Sequence, residues 1–443
     1  MHLTLTPLCW AIWRQQLPFQ LTPQSIPPTV VIVDQIDTQP PTADMQQQQQ
    51  QHSFTLQSVY HHASSSGPIP GLFRRHSISK DTFSTQEASQ QQQRYDLQSL
   101  SGTTYRPVSL GDVFSMYRHQ RSWLHTSSPV HVEFKEDHDG LLPDTKHRPT
   151  ILALAMMTNN AYSPADNSTE WYDLGTPWNV SESFGWESDG IRGHVFSNED
   201  ESILIVSIKG TSAGLLGGGG STTDKDKIND NLLFSCCCAR ISRAWSPVCD
   251  CYQNNEYICE NQCLESHIKN RTFYYDHALE IYKDVADRHP NATIWVTGHS
   301  LGGALASLVG QTFLVPTVTY EIPGEQLAAR RLHLPHAPGV ELPLWHFGHT
   351  ADPIFVGACK GPSSSCWYGG YAMETRCHTG KMCVWDTVSE KGWRVDIRSH
   401  RVADVIENIL KQDDEFPLPD CVDEDEDCTD CGLWNYIDPR DPQ

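Results

Sequence analysis

The pattern of apolar and polar positions in the middle of the chain predicts strands that alternate with helices. Ile203–Ile208 is an almost continuous apolar run, typical of a central strand, and residues 193–197 form a second strand just before it. Apolar residues spaced three and four apart predict helices over 150–161 and 273–285, and 344–347 is a further apolar strand. This order predicts an α/β fold.

The strongest chemical signal is the stretch 294–308. Three β-forming residues run into Gly298-His299-Ser300-Leu301-Gly302, and an alanine- and leucine-rich helical pattern follows. This is the strand–turn–helix context of a Gly-x-Ser-x-Gly nucleophile elbow, in which bulky residues beside so sharp a turn would collide. The helix directs its unpaired N–H groups and positive dipole end at the serine. We therefore predict that Ser300 is a nucleophile; the alternative is a glycine-rich turn between a buried strand and a helix.

A serine nucleophile needs a histidine base and a carboxylate that orients it, and α/β-hydrolases carry them in the order serine, acid, histidine. Asp352 follows the predicted strand 344–347, at the edge where catalytic groups gather in parallel sheets, so we predict it as the acid. His400 begins a helical pattern after another short apolar segment, and we predict it as the base. The alternatives are Asp386 and Asp396 for the acid and His349 and His378 for the base.

The sequence also predicts an oxyanion hole of two backbone N–H groups. One belongs to Leu301, directly after the serine, and the other to Thr211, in the turn that ends the strand Ile203–Ile208. The alternative for Thr211 is an ordinary strand-end turn. This chemistry requires no metal and no organic cofactor. Cys428 and Cys431 have the spacing of a zinc-ligand pair, but no second matching pair accompanies them, so no metal site is predicted.

Composition indicates the environment. A net charge of −22 argues against nucleic acid as a partner, and the 21 histidines would bring the charge close to zero in an acidic compartment. Fifteen cysteines and four glycosylation sequons favour an oxidising secretory route with several disulfides. Because the count is odd, we expect at least one thiol to stay free or to pair outside the chain, and Cys9 is the candidate. The sequons are at Asn167, Asn179, Asn270 and Asn291.

Composition also divides the chain. Residues 1–100 are rich in proline, glutamine and serine and are predicted to be disordered. Residues 101–415 form the predicted hydrolase domain, with a cysteine-rich insertion at 236–263 that disulfides should stabilise, and 416–443 form an acidic, cysteine-containing tail. No apolar run reaches the roughly 18 residues of a membrane-spanning helix, and residues 1–13 lack the basic segment of a signal peptide.

At these residues the chain resembles the class 3 lipases, and more closely the fungal autophagic lipase family of the vacuole. The likeness covers roughly 145–412. It rests on the elbow, on the strand end that precedes Thr211, on the Cys236–Cys251 cluster, on His346-Phe-Gly-His-Thr-Ala-Asp-Pro353 and on residues 393–400.

The resemblance implies an α/β-hydrolase fold with a mostly parallel central sheet. It also implies a triacylglycerol lipase or phospholipase, with Ser300, Asp352 and His400 as its triad, that breaks down autophagic and multivesicular-body membranes inside the vacuole. A type II single-pass protein with an N-terminal signal anchor is expected, although polar residues occupy 1–50 here. The expected partner is a lipid membrane, and the sequence does not identify a protein partner. The alternatives are a soluble esterase with the same triad and an inactive scaffold that binds lipid or a protein.

Overall fold

A computed structural model describes residues 30–34, 49–62, 72–77, 96–120, 131–162, 190–209, 223–240, 247–253, 257–269, 273–334, 340–360, 364, 366 and 370–437. The strands are β1 (Val30–Asp34), β2 (Gln49–His62), β3 (Phe73–Ser77), β4 (Asp96–Pro107), β5 (His131–Pro143), β6 (Ile191–Asn198), β7 (Ile203–Ile208), β8 (Ile258–Glu260), β9 (Thr293–His299), β10 (Thr317–Tyr320), β11 (Leu344–His349), β12 (Lys381–Trp385), β13 (Cys421–Asp423) and β14 (Asn435–Ile437). The α-helices are α1 (Leu110–Gln120), α2 (Arg148–Asn160), α3 (Thr223–Phe234), α4 (Asn261–Lys269), α5 (Tyr274–Arg288), α6 (Ser300–Phe313), α7 (Gln326–Arg331), α8 (Thr387–Lys391) and α9 (Val402–Val405). A 3₁₀ helix covers Ile397–His400 and a π-helix covers Ile406–Leu410.

One mixed sheet organises the described part of the chain, in the order β1-β5-β4-β2-β6-β7-β9-β10-β11-β12-β13, with β3 beside β2. Its centre, from β7 to β12, is parallel. The flanking pairs β2–β6, β6–β7 and β12–β13 are antiparallel. Parallel strands are covered on both faces, which explains why every residue of β7 is buried. The predicted α/β-hydrolase class is confirmed, and the parallel part of the sheet is its centre.

Helices cover both faces of this central sheet. Successive side chains of a strand point to opposite faces, so neighbouring residues of β9 enter different cores. Val296 packs in the cluster that contains α5 and α6 residues, whereas Trp295 packs in the cluster that contains residues of α2 and of the π-helix. The predicted helices at 150–161 and 273–285 are confirmed as α2 and α5, and the predicted strands as β6, β7 and β11. With both faces covered, the carboxyl ends of the strands remain for a site.

The predicted disorder over residues 1–100 is wrong where β2 lies. Residues 54–62 of this strand pair with β6, from Phe54 opposite Asn198 to His62 opposite Ile191, and β2 is therefore part of the hydrolase sheet. Phe54 and Leu56 are buried, but the glutamine, serine and histidine residues around them conceal the apolar alternation. The folded domain therefore begins before the predicted boundary at residue 101. Among the residues that can be described, no helix has both the length and the apolar character needed to cross a bilayer.

Seven disulfides join cysteines in the described ranges, and Cys9 lies outside them. Three of the bridges attach the acidic C-terminal segment to the hydrolase body, and β13 in that segment adds a strand to the sheet. The segment predicted as a tail is thus built into the fold up to residue 437. The pairs are Cys236–Cys431, Cys237–Cys259, Cys238–Cys249, Cys251–Cys263, Cys359–Cys366, Cys377–Cys428 and Cys383–Cys421.

Replacing both cysteines of the Cys236–Cys431 bridge with serine is expected to lower the free energy of unfolding by about 2–5 kcal/mol. The bridge joins residues 195 positions apart, so its loss frees a long loop in the unfolded chain. A urea unfolding curve measures the change. The same double replacement at Cys359–Cys366, which are only 7 positions apart, is the control and should have a smaller effect. Equal losses in the two variants would contradict the loop-entropy explanation.

Candidate active site

Ser300 lies at the turn between β9 and α6, with a φ of 56°. A left-handed backbone is rare for a residue other than glycine and is often found at functional sites. The backbones of strand and helix nearly touch at this turn. A Cβ on Gly298 would lie 2.5 Å from the carbonyl oxygen of Gly302, and one on Gly303 would lie 2.7 Å from the carbonyl oxygen of Gly298. The sequence predicts close approach at Gly298 and Gly302; the structure shows it at Gly298, and Gly303 is a further position where a side chain would collide.

A Gly298→Ala variant is expected to lose about 1–3 kcal/mol of stability, because its new methyl group would contact rigid backbone. The same displacement should move Ser300 and reduce hydrolysis of a soluble ester. The matched control is Gly432→Ala, where an added Cβ meets nothing within 4 Å. Urea unfolding and ester hydrolysis are measured for both variants. If the two behave alike, close backbone approach is not the reason for glycine at 298.

His400 lies between Ser300 and Asp352. Its Nε2 is 2.9 Å from Ser300 Oγ, and its Nδ1 is 2.8 Å from Asp352 Oδ2. All three residues are buried, with exposures of 2 % for Ser300, 0 % for Asp352 and 6 % for His400. An ionised carboxylate only accepts hydrogen bonds, so Nδ1–H donates to Asp352 and Nε2 is left to accept from the serine hydroxyl. Such an arrangement can pass the hydroxyl proton to the imidazole.

Two loops are joined beside these side chains. The backbone N–H of Asp396 donates to the carbonyl oxygen of Ala351 at 3.1 Å. The single proton of the Ser399 hydroxyl is shared between that oxygen, at 3.0 Å, and the carbonyl oxygen of Asp396, at 2.7 Å. Within the first loop, Asp352 Oδ1 accepts from the N–H of Ile354 at 2.9 Å. These bonds hold the loop after β11 against the 3₁₀ helix that ends at His400, and so fix the approach of the imidazole to the carboxylate.

A second buried carboxyl group, that of Glu321, lies beside Asp352. Burial pushes the pKa of Asp352 up, but the charge of His400 and hydrogen bonds from His400 and Glu321 outweigh it and bring the pKa to about 2. For Glu321, burial and then the negative charge of Asp352 raise the pKa well above its usual value. Two adjacent buried carboxyl groups cannot both be charged, and the negative charge resides on Asp352.

His299 and Tyr162 support His400 from the other side. His299 Nε2 is 2.6 Å from the carbonyl oxygen of His400, and its Nδ1 is 2.7 Å from the Tyr162 hydroxyl. Burial, followed by the charge of His400, lowers the pKa of His299 to about 3. The neutral ring can donate from one nitrogen only, so Nε2–H donates to His400 and Nδ1 accepts from Tyr162. The sequence places His299 inside the elbow but does not reveal either partner.

The alternative acids and bases have other contacts. Asp386 caps α8 and Asp396 caps the 3₁₀ helix, and each accepts a backbone N–H in that role. His349 Nε2 is 3.2 Å from the carbonyl oxygen of Ser399. His378 Nε2 is 3.2 Å from the carbonyl oxygen of Ile322, in the core. None of these bonds involves Ser300. By contrast, His400 hydrogen-bonds Ser300 directly, and Asp352 is linked to Ser300 through His400.

The remaining predicted positions are only partly described. Leu301 is the second residue of α6, in the first turn, where N–H groups have no partner within the helix. Thr211 lies outside the described residues, as do Asn167, Asn179 and Asn270. Asn291 is exposed just before β9. The oxyanion hole and the glycosylation sites stay predictions.

Three groups of side chains in the described ranges come close enough to hold a metal ion. Two of them include cysteines that are joined in disulfides, so their sulfur atoms are already bonded. The third consists of His62, His277 and Glu280, and a hydrogen bond joins His62 to Glu280. None of the three groups contains Ser300 or its two partners.

The comparisons with known proteins begin with the class. A family model described as Lipase (class 3) matches residues 242–319, which include β9, Ser300 and α6. Residues 242–319 therefore match the class 3 lipase family, within a chain of the α/β-hydrolase fold.

Curated relatives then specify the family. The chain is 52% identical over 304 residues to a protein of Vanderwaltozyma polyspora, covering 67% of this chain and 53% of that protein. It is 52% identical over 314 residues to one of Saccharomyces cerevisiae (strain S288c), covering 69% and 59%. Both are named "Putative lipase ATG15". The chain belongs to the fungal autophagic lipase family, and it spans somewhat more than half the length of these relatives.

Solved lipases overlap the chain more weakly. The Lip2 lipase of Yarrowia lipolytica is 16% identical, with 53% of this chain and 77% of that chain covered and a TM-score of 0.28. A lipase of Rhizopus microsporus var. chinensis is 14% identical, with 54% and 74% covered and a TM-score of 0.28. With TM-scores this low, these two structures assign no role to any residue of the chain.

Proposed function

We propose that the chain is a serine lipase that hydrolyses ester bonds of triacylglycerols, phospholipids or both, and that it degrades autophagic and multivesicular-body membranes in the vacuole. The observation that carries the proposal is the pair of hydrogen bonds that runs from Ser300 through His400 to Asp352. The lipase names of the relatives support the lipid substrate. We assign the roles of nucleophile, base and acid to these three residues.

Acylation begins when Ser300 Oγ attacks the ester carbonyl carbon and His400 Nε2 takes the hydroxyl proton. The N–H of Leu301 donates to the resulting oxyanion, and we assign the second donor to Thr211. One such donor typically lowers the barrier by ~3 kcal/mol. His400 then gives its proton to the leaving oxygen, the C–O bond of the ester breaks, and the alcohol departs while the acyl group stays on Ser300.

Deacylation repeats the sequence with water. His400 takes a proton from a water molecule, whose oxygen attacks the acyl carbonyl carbon. The bond to Ser300 Oγ breaks, the serine regains the proton from His400, and the fatty acid leaves. Throughout, the Asp352 carboxylate holds the Nδ1–H of His400 and stabilises the imidazolium.

An acidic, oxidising lumen suits these residues. Seven disulfides favour the secretory route. A pKa of about 2 keeps Asp352 charged well below neutral pH, where burial alone would have favoured its neutral form. We therefore propose the vacuole lumen as the working compartment, reached through prevacuolar or multivesicular-body membranes. Membrane attachment as a type II single-pass protein remains part of the proposal.

The test compares aggregated with monomeric substrate. The purified chain is assayed for fatty-acid release from phosphatidylcholine vesicles and triolein emulsions, and on p-nitrophenyl butyrate below and above its solubility limit. A lipase should accelerate when substrate forms an interface. Hydrolysis of monomers without that rise would favour the soluble esterase, and vesicle binding without fatty-acid release would favour the inactive scaffold. A Ser300→Ala variant gives the non-enzymatic background.

A further inference from the structure

Glu321 is a buried acid to which the mechanism above gives no role. It directly follows the last residue of β10, at the same edge of the sheet as Ser300, and is 0 % exposed. Its backbone φ is 48°, a left-handed conformation that is strained for a side chain of this size. A strained, buried and ionisable residue beside an active site is a candidate for a functional role.

The surroundings of Glu321 supply little to stabilise a charge. Its Oε2 accepts from the N–H of His349 at 3.4 Å, and the neighbouring carboxyl group of Asp352 adds to burial in raising its pKa. His349 Nε2 is 3.6 Å from Glu321 Oε1, but that ring nitrogen lies closer, at 3.2 Å, to the carbonyl oxygen of Ser399. Burial also lowers the pKa of His349, so its ring brings no positive charge to Glu321.

Asp352 is far better equipped to hold the negative charge. It receives hydrogen bonds from the N–H of Ile354 at 2.9 Å and from His400 at 2.8 Å. Two carboxyl groups in contact titrate as a pair, and the proton stays on the member with fewer stabilising partners. The other titratable groups that face the pair are His349 and His400, with Asp404 acting on His349.

We infer that Glu321 is a positioning residue of the proposed active site, a neutral carboxylic acid that donates a hydrogen bond to the Asp352 carboxylate and holds it against His400. The inference rests on the proposed function for its catalytic consequence. By sharing the negative charge of Asp352, the donor weakens the hold of the carboxylate on a protonated His400. A variant without this donor should therefore need a higher pH to reach the same rate.

Two substitutions separate this role from simple packing. Glu321→Leu removes the donor, so kcat/KM on p-nitrophenyl butyrate should fall about 10-fold and the acid limb of the pH–rate profile should move up by about 0.5–1 pH unit. Glu321→Gln has an amide that donates to Asp352 and accepts from the N–H of His349 at every pH. It should rescue most of the rate and restore the acid limb of the parent.

A matched control is Glu325→Gln. Glu325 is also fully buried, but it accepts from Ser307 Oγ at 3.0 Å and from the N–H of Thr379 at 2.9 Å rather than contacting the triad. This variant should change the unfolding midpoint and leave the acid limb in place. An acid limb that moves equally in Glu325→Gln and Glu321→Leu would overturn the inference, because a general effect on packing would then explain both.

An infrared difference spectrum tests the protonation state without any assay. Subtraction of the Glu321→Gln spectrum from that of the parent at pH 7 should leave the carbonyl band of a protonated carboxylic acid, which shifts in D₂O. A carboxylate band in its place would overturn the inference even if Glu321→Leu failed to fold. The spectrum also distinguishes the two proposals: if the chain hydrolyses no ester, the proposed function fails, while the band still decides whether Glu321 carries the proton.

Discussion

A Ser300→Ala variant is expected to hydrolyse p-nitrophenyl butyrate with a kcat lowered by about 10⁴- to 10⁶-fold. Alanine keeps the Cβ of serine, so the left-handed turn at φ 56° should still form. Without the hydroxyl, His400 Nε2 has no proton to accept and no acyl-enzyme can form. The residual rate should come from substrate binding and the oxyanion donors.

The control for this prediction is Ser307→Ala, on the same helix as Ser300. Ser307 is buried and donates to Glu325 Oε1 at 3.0 Å, so its replacement should lower stability and leave kcat near that of the parent. Both variants should bind phosphatidylcholine vesicles like the parent, which shows that the fold survives. Hydrolysis by Ser300→Ala at the rate of the parent would end the nucleophile assignment.

The sequence predicts the local parts of this site well, because a nucleophile elbow is a local structure. A β-strand, a turn that requires glycine and a helix follow each other within 294–308, so Ser300 could be identified without any distant contact. Asp352 and His400 required one further principle, that groups at the carboxyl ends of parallel strands converge. The structure brings both to hydrogen-bond distance of their predicted neighbours.

Contacts made across the fold could not be predicted in this way. Glu321 belongs to no motif, and its one signal is that it directly follows β10, which lies between the strands that precede Ser300 and Asp352. The contact of Tyr162 with His299 joins residues 137 positions apart. The sequence does not predict β2, because polar residues surround its buried side chains. The pairing of the cysteines depends on which of them lie close together in the fold, so the sequence does not predict it either.

Asp352→Asn is expected to lower kcat/KM by about 10³- to 10⁴-fold, with little change in the free energy of unfolding. An amide nitrogen that faces His400 Nδ1 donates to it, so the ring would carry its proton on Nε2 and present a donor to Ser300 in place of an acceptor. The imidazolium formed during acylation would also lose its counter-charge. Glu321 would be affected as well, because the negative charge that raises its pKa would be gone.

The matched control is Asp386→Asn, the alternative acid that caps α8 and accepts from the N–H of Ser389. This cap stabilises the start of the helix, so its loss should shift unfolding and not the pH–rate profile. Fatty-ester hydrolysis measured between pH 4 and 8 distinguishes the two variants. If Asp386→Asn lost as much kcat/KM as Asp352→Asn, or more, the role of the acid would have to be assigned to Asp386, which directly follows β12. His400 could then no longer be oriented by the bond at 2.8 Å, and the loop that carries it would have to rearrange during catalysis.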